Sequence, residues 1–285
     1  MTHPRLSLNQ ATIKYAPLAD ALRVTADAGY ESIGLWREPV QDVGVAESVK
    51  LIADSALRVS TMCRGGFFTL PEGPARRAAI DDNRRAIDET VAVGAPTLVL
   101  VAGGLVGGSR DLIGARALVT EAIGELADYA RHSGVTLAIE ALHPMYASDR
   151  AVVSTLGQAL DIAEQFDPAA VGVVVDTFHV WWDPQVLDQI ARAGAGGRIA
   201  TYQVCDWATP IASDALLSRH YPGDGVIDFE SLTRAVVATG YTGDIEVEIF
   251  NQAIWDAAWP DVARRTASAF DAVVAPHLAE VAAVC

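Results

Sequence analysis

Eight short apolar segments recur along the 285-residue chain, and each is followed by a stretch of helical or mixed helical character. The segments are nearly continuous in apolar residues, which is typical of parallel strands that are buried on both faces. They read RLSLN, SIGLW, RVSTMC, TLVLVA, VTLAIEAL, VGVVVD, IATYQVCD and DIEVEIF. Eight βα units predict an α/β fold, the (β/α)8 or TIM barrel, which typically takes about 250 residues as one domain.

The helical segments support the same architecture. Gly29, Gly94 and Gly134 each end a helical stretch and lead into a strand, as glycines do just past a helix C-terminus. No linker, low-complexity tract or short repeat interrupts the alternation, so we expect residues 1–285 to form a single barrel domain.

Composition narrows the function classes. The formal net charge of −15 argues against a nucleic-acid partner, which would need a clustered basic surface. No apolar run approaches the roughly 20 residues that cross a bilayer, and the first residues lack a signal-peptide core, so we expect a cytoplasmic protein with no membrane partner. Cys63, Cys205 and Cys285 are far apart and lack CxxC spacing, which argues against a disulfide framework or a thiolate zinc site.

Four consecutive strands in the second half each run into one polar side chain that could bind a metal. These residues are Glu140, Asp176, Gln203 and Glu248. The C-terminal ends of barrel strands ring one mouth, where three crowded carboxylates would repel one another unless a cation lay among them. An all-oxygen donor set suits Mn²⁺, or Mg²⁺, better than zinc. The alternative is that acidic strand ends only cap the following helices.

Two histidines stand at matching offsets from these residues. His143 lies three residues after Glu140, and His179 lies three residues after Asp176. A histidine beside a metal carboxylate can orient ligands or move protons, although a lone histidine is more often structural.

These motifs carry a resemblance. IEALHP, VVDTFH, YQVCDW with the following loop SRHYPGDGVIDF, and GYTGDIEVEIF resemble motifs of the sugar isomerase/epimerase superfamily with xylose-isomerase-like barrels. The resemblance implies that Glu140, Asp176, Gln203 and Glu248 bind one divalent metal and that the two glutamates also move protons. Most of that family has His where this chain has Gln203, whereas hydroxypyruvate isomerases resemble it in having Gln. Glu246 competes with Glu248, because alternation puts both on one face.

The resemblance also implies substrate-binding residues. His179 and Arg219 match family residues that hold substrate oxygens, and His220 is a weaker companion of Arg219. Five further residues lie just past strand ends, where an aromatic wall or an anion anchor would help to hold a sugar. For the tryptophans among them the alternative is packing at the rim. The five residues are Trp36, Arg37, Arg64, Trp181 and Trp207.

The function implied is a metal-dependent isomerase or epimerase of a sugar, keto-sugar or related polyol. In that reaction the metal stabilises an enediolate while Glu140 and Glu248 take and return a proton. A second hypothesis is a lyase or dehydratase of the inosose-dehydratase or 3-oxo-glycoside-cleaving kind, with His143 as acid or base. A third is a catalytically silent sugar-binding barrel. We expect an unphosphorylated small-molecule carbohydrate substrate, and barrels of this kind often form homo-oligomers.

Overall fold

Eight parallel strands close into a barrel in the structure, a computed structural model that describes residues 2–278. Each strand pairs with its sequence neighbours, and the first strand pairs with the last to close the ring. The strands are β1 (Leu6–Asn9), β2 (Ser32–Trp36), β3 (Arg58–Gly66), β4 (Thr97–Val101), β5 (Thr136–Glu140), β6 (Val171–Asp176), β7 (Ile199–Val204) and β8 (Ile245–Val247). The predicted TIM barrel is therefore confirmed.

Helices surround the barrel and occupy the connections between strands. They are α1 (Leu18–Asp27), α2 (Arg37–Val43), α3 (Val45–Ser55), α4 (Pro74–Ala92), α5 (Leu112–His132), α6 (Leu156–Ala163), α7 (Thr177–Val180), α8 (Val186–Ala195), α9 (Phe229–Ala238), α10 (Gln252–Trp255) and α11 (Trp259–Val273). Gly29, Gly94 and Gly134 follow α1, α4 and α5 with φ of 84°, 75° and 75°. This left-handed conformation favours glycine, as the sequence predicted. No helix among residues 2–278 combines the length and the apolar character needed to cross a membrane.

Strand register brings three polar residues side by side inside the barrel. Gln203 pairs with Asp176 of β6 on one side and with Glu246 of β8 on the other. Glu248 lies two residues beyond Glu246, on the same face and closer to the C-terminal mouth.

The connection after β7 is the most elaborate loop at this mouth. Two short antiparallel strands, Asp206–Trp207 and Arg219–His220, form a hairpin within it. The buried carboxylate of Asp206 then accepts hydrogen bonds from the main-chain N–H groups of Gly223, Gly225 and Ile227, at 2.8–3.0 Å. These bonds fix the loop that carries Arg219.

Two of the three cysteines lie within the described residues. Cys63 and Cys205 are buried free thiols, which agrees with the expected absence of a disulfide between them. Cys285 lies outside residues 2–278.

Candidate active site at the barrel mouth

A cavity of about 250 Å³ opens at the C-terminal ends of the strands. Six residues singled out from the sequence line it: Glu140, Glu248, His179, Arg219, Trp36 and Arg64. The sequence analysis missed its other lining residues, which are Lys14, Cys63, Phe67, Val101, Leu142, Arg150, Leu216 and Phe250. Asp176 and Gln203 are buried and do not line this cavity.

Three of the predicted ligands are carboxylates withdrawn from solvent. Glu140, Asp176 and Glu248 are 6%, 1% and 4% exposed. Burial raises the pKa of Glu140 well above its usual range, and the neighbouring Glu248 and Asp176 carboxylates raise it further. Burial likewise raises the pKa of Glu248, to about 7, and that of Asp176. The protein therefore keeps these acids where their ionised forms are destabilised.

Glu140, Asp176 and His179 form a cluster that could hold a metal ion. Each offers one ligand atom, and these atoms lie within 4.8 Å of one another. Such spacing allows all three atoms to reach one ion in their midst. Burial lowers the pKa of His179 well below its ordinary value, and the nearby Arg219 guanidinium adds to that effect, so the ring is neutral and brings no positive charge to the carboxylates.

Arg219 is the cation that reaches this cluster. Its Nη1 donates to Asp176 Oδ2 at 3.1 Å and to Glu248 Oε2 at 3.0 Å. Its guanidinium lies against the rings of Phe178 and Phe250, with 4.6 and 5.1 Å to the ring centroids. When Glu140, Asp176 and Glu248 are all ionised, one guanidinium opposes three carboxylates, and a divalent cation would offset the remaining negative charge.

The ring of His179 receives two competing contacts. Arg219 Nη2 lies 2.9 Å from Nε2, and the main-chain N–H of His143 lies 3.1 Å from Nδ1. A neutral imidazole has only one acceptor nitrogen, so both contacts cannot be hydrogen bonds at once.

Gln203 is held by a polar network beneath the cavity. Its Nε2 donates to Glu246 Oε2 at 3.2 Å, while Asn9 Nδ2 and Ser60 Oγ donate to the same carboxylate at 2.8 and 2.7 Å. Gln203 Oε1 is buried and has no hydrogen-bond partner among the described residues. A buried amide oxygen without a partner is costly. Together with the carboxylates, this free oxygen makes a donor set that fits a hard divalent cation.

Glu246 and Glu248, the two glutamates of the IEVE motif, lie in different surroundings. The structure places Glu246 inside the barrel, bonded to Asn9, Ser60 and Gln203, and places Glu248 at the cavity. This arrangement favours Glu248 over Glu246 as the residue available to metal or substrate.

Several predicted residues lie away from the cavity lining. The His143 ring is half-buried and contacts Trp182 and Trp207, at 5.4 and 5.1 Å between ring centroids. Trp207 is buried and stacks on Phe178 at 4.7 Å, and Trp181 packs on Trp207 at 5.5 Å. The roles assigned to His143 and Trp181 stay predictions.

Arg37 was predicted to anchor an anion at the mouth, but its side chain does not line the cavity. It begins α2, and its Nε and Nη1 donate to Glu89 and Asp82 of α4 at 2.6 and 3.0 Å. The guanidinium is therefore occupied by carboxylates of α4. That prediction was wrong because two acids on the neighbouring helix, 45 and 52 residues further on, capture the side chain.

Several curated proteins share sequence with this chain, among them a dehydratase and an isomerase. A 3-dehydroshikimate dehydratase from Pseudomonas aeruginosa is 30% identical over 247 residues, which are 82% of this chain and 36% of that protein. An inosose isomerase from Bacillus velezensis is 28% identical over 159 residues, which are 55% of each protein. The chain thus spans about a third of the length of the dehydratase and about half that of the isomerase.

Solved structures share the fold. A protein from Sinorhizobium meliloti is 45% identical, with a TM-score of 0.91 over 94% of this chain and 98% of that one. The structure of IOLI protein with a binding zinc atom has a TM-score of 0.82 at 20% identity, over 96% of this chain and 99% of that one. The family model described as xylose isomerase-like TIM barrel matches residues 22–272, so this chain belongs to that family.

Proposed function

We propose that this chain is a divalent-metal-dependent isomerase or epimerase of a sugar, keto-sugar or related polyol. One observation carries the proposal: two buried glutamates, Glu140 at the end of β5 and Glu248 just past β8, line the same cavity. Two acid/base groups that reach one substrate from different strands are what proton removal and return require.

The proposed metal ligands are Glu140, Asp176, Gln203 and Glu248. The buried carboxylates and the unpartnered Gln203 Oε1 support this set. A bound divalent ion would polarise adjacent substrate oxygens as a Lewis acid, an effect worth several kcal/mol. Oxygen donors favour Mn²⁺ or Mg²⁺. Zinc is the competing ion, since one structure of the same fold holds it.

The proton steps belong to the glutamates. Burial raises the pKa of Glu248 to about 7 in the metal-free protein, and this supports a role for Glu248 in taking up and returning a proton. Return of the proton to the adjacent carbon would give isomerisation, and its return to the opposite face of the same carbon would give epimerisation. His179 and Arg219 would hold substrate oxygens, while Trp36 would pack against the carbon skeleton. The uncharged Trp36 ring would keep water from the reacting carbon.

A dehydratase is the second candidate. It is favoured by the match to 3-dehydroshikimate dehydratase, which covers 82% of this chain. The same proton removal would be followed by loss of a β-hydroxyl group as water, and His143 is the proposed acid for that step. Product mass separates the two candidates, because isomerisation conserves mass and dehydration lowers it by one water.

The proposal is tested by turnover of keto-sugars and inososes with Mn²⁺ present. We expect Glu140→Gln and Glu248→Gln each to lose about a hundredfold or more in kcat. Glu121→Gln, which changes an exposed glutamate on α5, is the matched control and should keep full activity. The two-base scheme is wrong if both site variants retain metal and full turnover on the true substrate.

A further inference from the structure

Three basic side chains surround the cavity in addition to Arg219. Lys14 follows β1, Arg64 lies near the end of β3, and Arg150 lies in the loop after β5. Lys14 is one of only two lysines in the sequence, and the chain has 21 basic against 36 acidic residues. A concentration of cations at one cavity is therefore contrary to the composition of the chain.

These three cations are poorly paired within the described residues. Lys14 has no carboxylate within 4.0 Å among residues 2–278. Arg64 approaches Glu38 only at 3.6 Å, and its buried Nε has no hydrogen-bond partner in the part of the chain described. Arg150 reaches only the adjacent Asp149, at 3.9 Å. By contrast, Arg37 pairs with Glu89 at 2.6 Å. The acids that are abundant elsewhere leave these charges free.

Aromatic rings support the three side chains without neutralising them. Arg64 lies against Trp36 and Phe67, with 5.7 and 4.9 Å to the ring centroids. Lys14 Nζ lies 4.3 Å from the Trp255 ring, and Arg150 lies 5.4 Å from that of Tyr146. A ring face holds a cation in place while its full charge stays available to a ligand.

We propose that Lys14, Arg64 and Arg150 form an anion anchor at the barrel mouth, and that the substrate is a polyhydroxy acid whose carboxylate binds there. This inference rests on the proposed function, because it assigns the substrate class of the same cavity. Lys14 and Arg150 reach the cavity from the connections after β1 and β5, and Arg64 reaches it from β3. The carboxylates of Glu140, Asp176 and Glu248 would repel the acid group.

The loops favour a carboxylate over a phosphate. TIM barrels commonly bind phosphate with main-chain N–H groups of the loops after strands seven and eight. Here Asp206 already accepts such N–H groups from Gly223, Gly225 and Ile227 after β7. After β8, Asn251 Oδ1 accepts those of Ala253 and Ile254 at the start of α10. The usual phosphate donors are thus occupied, and side-chain cations remain for the ligand.

The test compares ligands that differ only in the acid group. Isothermal titration of the Mn²⁺-loaded protein with D-glucuronate against D-glucose, and D-galacturonate against D-galactose, measures the preference. We expect each acid to bind about tenfold tighter or more than its neutral partner. Arg64→Gln and Lys14→Gln should each reduce this preference. Lys50→Gln and Arg84→Gln, at exposed helix positions, are the matched controls. Thermal melting of every variant checks that it is folded.

The outcomes separate this inference from the proposed function. The anchor is contradicted if the acids bind no more tightly than the neutral sugars. This includes the case in which neither the acids nor the neutral sugars bind. An unchanged preference in a folded Arg64→Gln variant, or tighter binding of D-glucose 6-phosphate than of D-glucuronate, also contradicts the anchor. Solvent-deuterium exchange on a neutral keto-sugar with no gain for an acid would overturn the anchor and keep the proposed function. Selective acid binding without exchange on any compound would do the reverse.

Discussion

At the scale of single residues, burial decides the chemistry of the cavity. Glu248 and Glu140 are acids that the fold removes from water, and their pKa values rise because the charged form loses its hydration. Arg219 opposes this rise by bonding to Glu248 and Asp176. The sequence analysis found Glu140 and Glu248 because the C-terminal ends of barrel strands surround the mouth of the barrel.

The raised pKa of Glu248 predicts how the stability of the protein depends on pH. The ordinary pKa of Glu248 is 4.5 and its folded pKa is about 7, so between these values the folded protein binds a proton that the unfolded chain has lost. The free energy of unfolding of the metal-free protein should therefore fall as pH rises from about 4.5 to 7. Glu248→Gln removes this contribution. Urea unfolding across that range should show wild type losing stability relative to the variant, and a constant difference would contradict the pKa assignment.

Gln203 makes a prediction about metal affinity. Gln203 Nε2 donates to Glu246, which leaves Gln203 Oε1 free to bind a metal ion. Gln203→Leu removes this oxygen and should therefore weaken Mn²⁺ binding about tenfold or more. Gln203→His, which supplies another ligand type, should bind metal more tightly than Gln203→Leu. Metal titration by calorimetry measures both. Gln165→Leu, at an exposed position after α6, is the control, and equal affinities in all four proteins would exclude Gln203 as a ligand.

The residues that sequence analysis missed have a common physical origin. Lys14, Arg150 and Phe250 reach the cavity from the connections after β1, β5 and β8, where no strand or helix period dictates direction. Only the three-dimensional structure shows that these side chains line the same cavity. Arg37 illustrates the reverse error, since position past a strand end suggested the mouth while long-range ion pairs drew the side chain to α4.

At the scale of elements, the strands were predictable because a parallel strand buried on both faces has a simple apolar signature. The main difference lies in β3, predicted to stop at Cys63 and found to extend to Gly66. Asn83 of α4 explains the extension, since its side chain bonds both the N–H and the C=O of Gly66. A Cβ at Gly66 would come within 1.9 Å of Val101 O, so this close strand contact needs glycine. Such a contact between distant segments leaves no local signal.

The loop after β7 makes a prediction at this scale. The buried carboxylate of Asp206 accepts hydrogen bonds from four main-chain N–H groups, and three of these belong to the far part of the loop. Hydrogen bonds to a charged group contribute about 1.5–3 kcal/mol each. Asp206→Asn should lower the free energy of unfolding by about 3 kcal/mol, because the amide nitrogen replaces one carboxylate oxygen and cannot accept the two bonds that this oxygen received. Urea unfolding is the measurement. Asp224→Asn, in the same loop, removes an exposed pair with Arg265 and should cost less than about 1 kcal/mol. Equal losses would show that Asp206 does not organise the loop.

At the scale of the whole molecule, the barrel closes only when β1 pairs with β8, and this closure brings Asn9 to Glu246. The polar network beneath the cavity thus depends on both ends of the barrel. A ligand that binds only the folded site should stabilise the entire domain. We expect Mn²⁺ at a hundredfold excess over its Kd to add about 2.7 kcal/mol to the free energy of unfolding. The increase should vanish with EDTA and in Asp176→Asn. No change in melting temperature with Mn²⁺, Mg²⁺ or Zn²⁺ would favour the silent sugar-binding barrel.

The central claim is that Glu140 and Glu248 exchange a substrate proton at one metal-dependent site. It is tested most directly by mass spectrometry and NMR of keto-sugars, inososes and their acid analogues incubated in D₂O with the Mn²⁺-loaded protein. The account predicts deuterium at the carbon next to the carbonyl of the true substrate, abolished in Glu140→Gln or Glu248→Gln and preserved in Glu121→Gln. Turnover of a substrate with no solvent deuterium incorporated in any product, or exchange that persists undiminished in both glutamate variants, would contradict it.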